Sequence, residues 1–177
     1  MVLAAFIVSI IALVLASLSI ARRVWGKSDL IITFDLREVK GGRVMTCQLY
    51  NPLIIKGVKK KIGVSRMPIE DLVAHFSIAE YGSNKVIYPG KVPYIQRYDG
   101  VVNAQRISLP ASIFPAHFSV VSVDYDTKTV KVFGEDDTDL SIGNYIVKVH
   151  AQFQENERSA ERTLTVHKEY PYAYWRG

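Results

Sequence analysis

Polar and apolar residues alternate with a period of two over most of this chain, the signature of half-buried β-strands. Leu30, Ile32, Phe34 and Leu36 alternate with Thr33, Asp35 and Arg37. Gly41-Gly42 supplies a turn, and Met45, Cys47 and Leu49 carry the next inward face. The pair reads as a hairpin. Asn51-Pro52 ends it, because proline cannot continue a central strand. Residues 53–67 mix Leu53, Ile54, Ile55, Val58, Ile62 and Val64 with five basic residues, and Gly57, Gly63 and Pro68 interrupt any regular helix. This segment is expected to be a loop, with room for one helical turn.

Further along, Leu72, Ala74, Phe76 and Ile78 form a third inward face. Gly82-Ser83-Asn84 turns the chain, and Lys85 to Tyr88 returns it. Pro89-Gly90 and Pro93 predict an edge strand or an irregular crossing. A short strand is expected within residues 103–109, then a corner or helical turn at Ser112–Pro115. Two more strands follow, Phe118 to Tyr125 and Thr129 to Phe133, around Asp126-Thr127-Lys128. The last hairpin is the clearest. Tyr145, Val147, Val149, Ala151 and Phe153 face inward, Glu155-Asn156-Glu157 turns, and Thr163 to His167 returns with Leu164 and Val166 inward. Arg162 falls on the inward parity, which the alternation does not explain; a place at the strand's edge is one option. The approach Leu140-Ser141-Ile142-Gly143-Asn144-Tyr145 resembles the corner that leads into a late strand of many immunoglobulin-like sandwiches.

Seven to nine short segments with a turn about every 10 residues predict an antiparallel, immunoglobulin-like β-sandwich. A partly open β-barrel is the alternative. The sandwich domain is expected over residues 29–168, with an aromatic C-terminal tail over 169–177.

One stretch breaks the alternation. Met1 to Ala21 contains no charge, proline or glycine and ends at Arg22-Arg23. About 20 apolar residues at 1.5 Å each span roughly 30 Å, the hydrocarbon thickness of a bilayer. A transmembrane helix is therefore expected over residues 1–24, with residues 25–28 as a juxtamembrane linker. Ser19-Ile20-Ala21 would serve as a cleavage site in the rival assignment, a secretory signal peptide. Against that, no positive side chain precedes the run and its apolar core is long.

Charge then sets an expected orientation. Arg22, Arg23 and Lys27 follow the run, and positive flanks stay on the cytoplasmic side. The expected protein is single-pass, with the N-terminus outside and the sandwich in the cytoplasm. The total charge is +5, with a pI of about 9.3, and much of the excess lies in the first 66 residues. One cysteine, Cys47, excludes an intrachain disulfide. No low-complexity tract or repeat of fixed period occurs.

Candidate chemistry is sparse. Phosphate loops, nucleophile elbows and paired-cysteine motifs are absent from the sequence, so no catalytic residue, metal ligand or cofactor is assigned. His75 and His150 fall on outward parities, and no two of the four histidines sit at ligand spacing along the chain. Cys47 would act as a nucleophile only beside a histidine. Asp124, Asp126, Glu135, Asp136, Asp137 and Asp139 form an acidic group without the alternating spacing of a calcium loop. An exported sandwich binding an ion or small ligand at residues 135–139 is the alternative function.

Two features point to interaction instead. Lys56, Lys59, Lys60, Lys61 and Arg66 lie in a loop expected at the membrane-proximal end, with Arg22, Arg23 and Lys27. Each basic residue there contributes on the order of 1 kcal/mol of attraction to anionic lipid. Tyr170, Tyr172, Tyr174 and Trp175 make the tail aromatic, a composition typical of interfaces; the tail is expected either to pack along the sandwich or to dock on another protein or the bilayer interface. The expected function is a non-enzymatic accessory, scaffold or interaction protein. Its expected partners are the lipid bilayer and a protein or larger membrane complex, with no nucleic acid.

Overall fold

The computed structural model describes residues 10, 11, 13, 14, 30–51, 68–83, 85–91, 93, 95–97, 100–102, 106–110, 114–133, 138–170 and 172–176. Their strands, in chain order, are β1 (Ile31–Val39), β2 (Gly42–Tyr50), β3 (Ile69–Glu80), β4 (Val86–Lys91), β5 (Ile95–Arg97), β6 (Gly100–Val102), β7 (Ile107–Leu109), β8 (Ala116–Asp124), β9 (Thr129–Val132), β10 (Thr138–Asp139), β11 (Gly143–Phe153), β12 (Asn156–Val166) and β13 (Ala173–Arg176). They form two antiparallel sheets. The first runs β1-β2-β8-β5-β6, with β9 also on β8 and β10 on β9. The second runs β13-β12-β11-β3-β4, with β7 also on β3. The sheets keep separate edges, so the barrel alternative gives way to a sandwich.

The period-two pattern explains the layers. Met45, Cys47 and Leu49 of β2, Leu72 to Ile78 of β3 and Tyr145 to Phe153 of β11 are buried at every predicted inward position. Phe76 of the second sheet meets Phe118 of the first, ring centres 5.8 Å apart, and Tyr88 stacks on Phe76 at 5.1 Å. Each fully buried aromatic of this kind contributes about 1.5–3 kcal/mol. β1 is an edge strand, and its inward Ile32, Phe34 and Leu36 are only half buried. A two-residue turn, Lys40-Gly41, joins it to β2, with Gly41 at φ +81°. Ahead of β11, the Tyr145 hydroxyl donates to the Ser141 carbonyl at 2.7 Å, fixing the predicted corner.

Several details differ from the alternation. β5 and β6 were not expected, because three residues are too few to show a period. β3 starts at Ile69, three residues before Leu72, and both are inward. A bulge absorbs the extra residue, with Asp71 at φ 52°. In β8 a second bulge at Val120 shifts the register against β2 between Met45 and Thr46. The final turn is Gln154-Glu155, one residue earlier than predicted, and the return strand starts at Asn156 rather than Thr163. Apart from Ala160, residues 156–162 are polar on both faces, which hides their strand character. They can be so because β13 covers β12 only from Thr163 to Val166, leaving that part of the strand near an edge, where charged residues are tolerated.

Within Met1–Ala21, Ile10, Ile11, Leu13 and Val14 are helical and exposed. No helix among the described residues is long and apolar enough to cross a membrane. The rest of the expected transmembrane helix and the linker at residues 25–28 lie outside the described residues.

Candidate interaction surface

The basic cluster of Arg22, Arg23, Lys27, Lys56, Lys59, Lys60, Lys61 and Arg66 also lies outside the described residues. The stems that carry it are described. β1 starts opposite the end of β2, where Ile31 pairs with Tyr50. The buried Asn51 amide donates to the Leu109 carbonyl at 3.3 Å, and Leu109 pairs with Ile69. Both stems of the 52–67 segment therefore stand at the end of the sandwich where the chain enters at Leu30.

The aromatic tail is built into the sandwich. β13 pairs with β12, with Trp175 opposite Leu164. The Trp175 ring sits 5.0 Å from Phe34 of the other sheet, and its Nε1 donates to the Asp35 carbonyl at 2.8 Å. Arg162 reaches the Phe34 carbonyl with Nη1 and the Arg176 carbonyl with Nε, both at 3.4 Å. Its inward parity is thus explained: the guanidinium closes the gap between the sheets at their edge.

At the opposite end from Leu30, the other tail aromatics join residues with no sequence signal. Arg43 forms an ion pair with Glu38, and its Nε donates to the Tyr125 hydroxyl at 3.0 Å. Tyr125 donates in turn to Glu38 Oε2 at 2.7 Å. Burial and the hydrogen bond to Glu38 push the Tyr125 phenol up to about 12. The Tyr125 and Arg43 hydrogen bonds hold the Glu38 carboxyl below its ordinary range. Tyr170 packs edge-on to Tyr125 at 5.2 Å, with the Arg43 guanidinium 5.6 Å above its ring. Tyr172 completes the cluster 6.3 Å from Tyr125. Glu38, Arg43 and Tyr125 lie up to 87 residues apart, so only register brings them together.

This end also exposes apolar side chains. Tyr170 is 63% exposed, and Ile142, which shares a cleft with Tyr172, is exposed as well. A cleft of about 610 Å³ opens beside them, between Lys128, Asp139 and Ile142 on one wall and His167, Lys168 and Tyr172 on the other. Tyr174 is 37% exposed and lies against His167, ring centres 5.2 Å apart.

The remaining candidates separate cleanly. Cys47 is fully buried, and burial pushes its thiol up, so the thiolate is disfavoured and solvent does not reach it. Asp124 accepts the backbone N–H groups of Asp126 and Thr127 at 2.8 and 3.0 Å, which makes it a turn residue. Asp139 belongs to β10, while Glu135, Asp136 and Asp137 lie outside the described residues. Among the described residues no group of three or more His, Cys, Asp or Glu side chains is arranged to hold a metal ion. His117 accepts a hydrogen bond from Arg37 Nη1 at 2.8 Å. β3 and β11 pair His75 directly with His150, a neighbourhood that spacing along the chain does not show.

Fold and surface define a two-sheet β-sandwich with an aromatic end. Compared with protein families, curated proteins and solved structures, the chain matches none.

Proposed function

We propose that the protein is a single-pass, membrane-anchored accessory protein that acts by binding rather than by catalysis. The observation that carries this reading is the uncharged run from Met1 to Ala21, stopped by Arg22-Arg23 and followed at once by a folded β domain. Orientation follows from the same flank: three positive residues after the run favour a cytoplasmic sandwich. An immunoglobulin-like arrangement is supported by β2 beside β8 in one sheet, by β3, β11 and β12 adjacent in the other, and by the Tyr145 corner.

In this reading the two ends of the sandwich have different tasks. The end at Leu30 meets the bilayer, with the basic residues of the 52–67 segment against anionic headgroups. The other end, with Tyr170, Tyr172 and Ile142, meets a partner protein, since exposed aromatic side chains bury area at low entropic cost.

Replacing Lys59, Lys60 and Lys61 with alanine in a fragment of residues 28–177 tests the membrane contact. Flotation with anionic vesicles is expected to fall, more at low salt than at high salt, because surface charges are screened within a Debye length. Equal flotation of variant and parent removes the lipid contact. A cysteine at Lys85, an exposed turn position, reports orientation, because buried Cys47 is a silent background. Labelling by an impermeant thiol reagent in intact cells would place the domain outside.

A further inference from the structure

Two imidazoles stand side by side on the outer face of the second sheet, with a carboxylate beside one of them. His75 and His150 are direct cross-strand partners in β3 and β11. Their ring centres stand 5.9 Å apart, with planes only 10° from parallel. The Glu157 carboxylate, from β12, lies 4.0 Å from His150 Nε2.

The scaffold beneath is rigid. β11 is hydrogen-bonded on both sides, to β3 and β12, and β3 is held by β11, β4 and β7. The two Cα positions are therefore fixed by the sheet, which is the preorganisation a ligand pair requires. The distance is suitable. A metal about 2.0–2.1 Å from one nitrogen of each ring puts the ring centres roughly 5–6 Å apart. The soft χ2 torsion of histidine lets each ring turn its lone pair toward a shared point. The site remains open, since the His150 side chain is 34% exposed and Glu157 74%.

We propose that His75 and His150 bind one late first-row divalent cation as a two-imidazole site, with water completing the shell and Glu157 as the nearest carboxylate. Imidazole suits zinc, copper and nickel rather than calcium or magnesium. The site is not a structural cage of four protein ligands, which agrees with the absence of a preassembled three-ligand group among the described residues. Sequence spacing hides it, because 75 residues separate the pair and only the β3–β11 register joins them.

Titration of the purified full chain with Zn²⁺ by calorimetry tests it. One site is expected. His75→Gln and His150→Gln should each weaken it about tenfold or more, while His117→Gln leaves it unchanged. A second measurement needs no variant: Zn²⁺ should shift the imidazole NMR signals of His75 and His150 in the parent chain, and leave those of His117 and His167 in place. No binding by the parent, undiminished binding by either variant, or shifts at His117 or His167 instead would overturn the site.

Discussion

Trp175 shows how one side chain joins two sheets. Its ring packs on Phe34 and its indole N–H is bonded to the Asp35 carbonyl, while its own backbone belongs to the other sheet. Trp175→Phe keeps most of the packing and loses the hydrogen bond, so denaturant unfolding should show a loss of about 1 kcal/mol. Trp175→Ala removes both and should cost about 2–3 kcal/mol, less than a fully buried ring because Trp175 is half exposed. A Trp175→Ala change within error of the parent would mean that the tail is not part of the folded unit. Titration gives a second test. Burial, with His150 adding to it at His75 and Arg37 at His117, holds both below the ordinary histidine value of 6.5. The unfolded chain therefore takes up protons before the folded one does. Stability should be fully present above about pH 6.5 and fall as the pH drops through the folded-state values. His75→Gln should flatten that slope in thermal melts between pH 7 and 5. Sequence made some residues of this scale legible. The parity of Arg162 marked it as an exception without placing it, and the aromatic density of the tail marked Trp175. The Glu38–Arg43–Tyr125 cluster and the His75–His150 pair were illegible, since each depends on strand neighbours that no spacing along the chain reveals.

Strands were legible in proportion to length and burial. β2, β3 and β11 carry long alternations, and every inward residue those alternations name is buried. β5 and β6 are three residues each, below the length at which a period is visible, whereas β7 falls within the short strand expected over residues 103–109. The first half of β12 was lost for a different reason: an edge segment with polar residues on both faces has no period to read. Bulges are the third gap. Asp71 occupies the left-handed region at φ 52°, between inward Ile69 and Leu72. Glycine enters that region without strain, whereas a β-branched residue does not. Asp71→Gly should leave stability unchanged or raise it by up to about 1 kcal/mol, and Asp71→Val should lower it by about 1–3 kcal/mol. Chemical denaturation compares them, and equal effects of the two would remove the bulge argument. Gly42 is constrained by space rather than by angle, because a Cβ there would run into the Val123 carbonyl oxygen.

The whole molecule is polarised along its strands. The chain enters at Leu30, and the stems of the basic 52–67 segment stand at the same end. The other end carries the Tyr125–Tyr170–Tyr172 cluster, exposed Ile142, and the cleft beside Lys168. A protein held to a bilayer at one end has the other end free to meet partners, and this polarity links the fold to the proposed function. It rests on Met1–Ala21 being a retained anchor. The direct measurement is alkaline carbonate extraction of membranes from cells making the C-terminally tagged full chain, beside a chain lacking residues 1–24. The full chain should stay in the membrane pellet at full length while the shortened chain moves to the supernatant. A full-length gene product recovered in the supernatant, or one shortened by about 21 residues, would contradict a retained anchor and the membrane contact built on it.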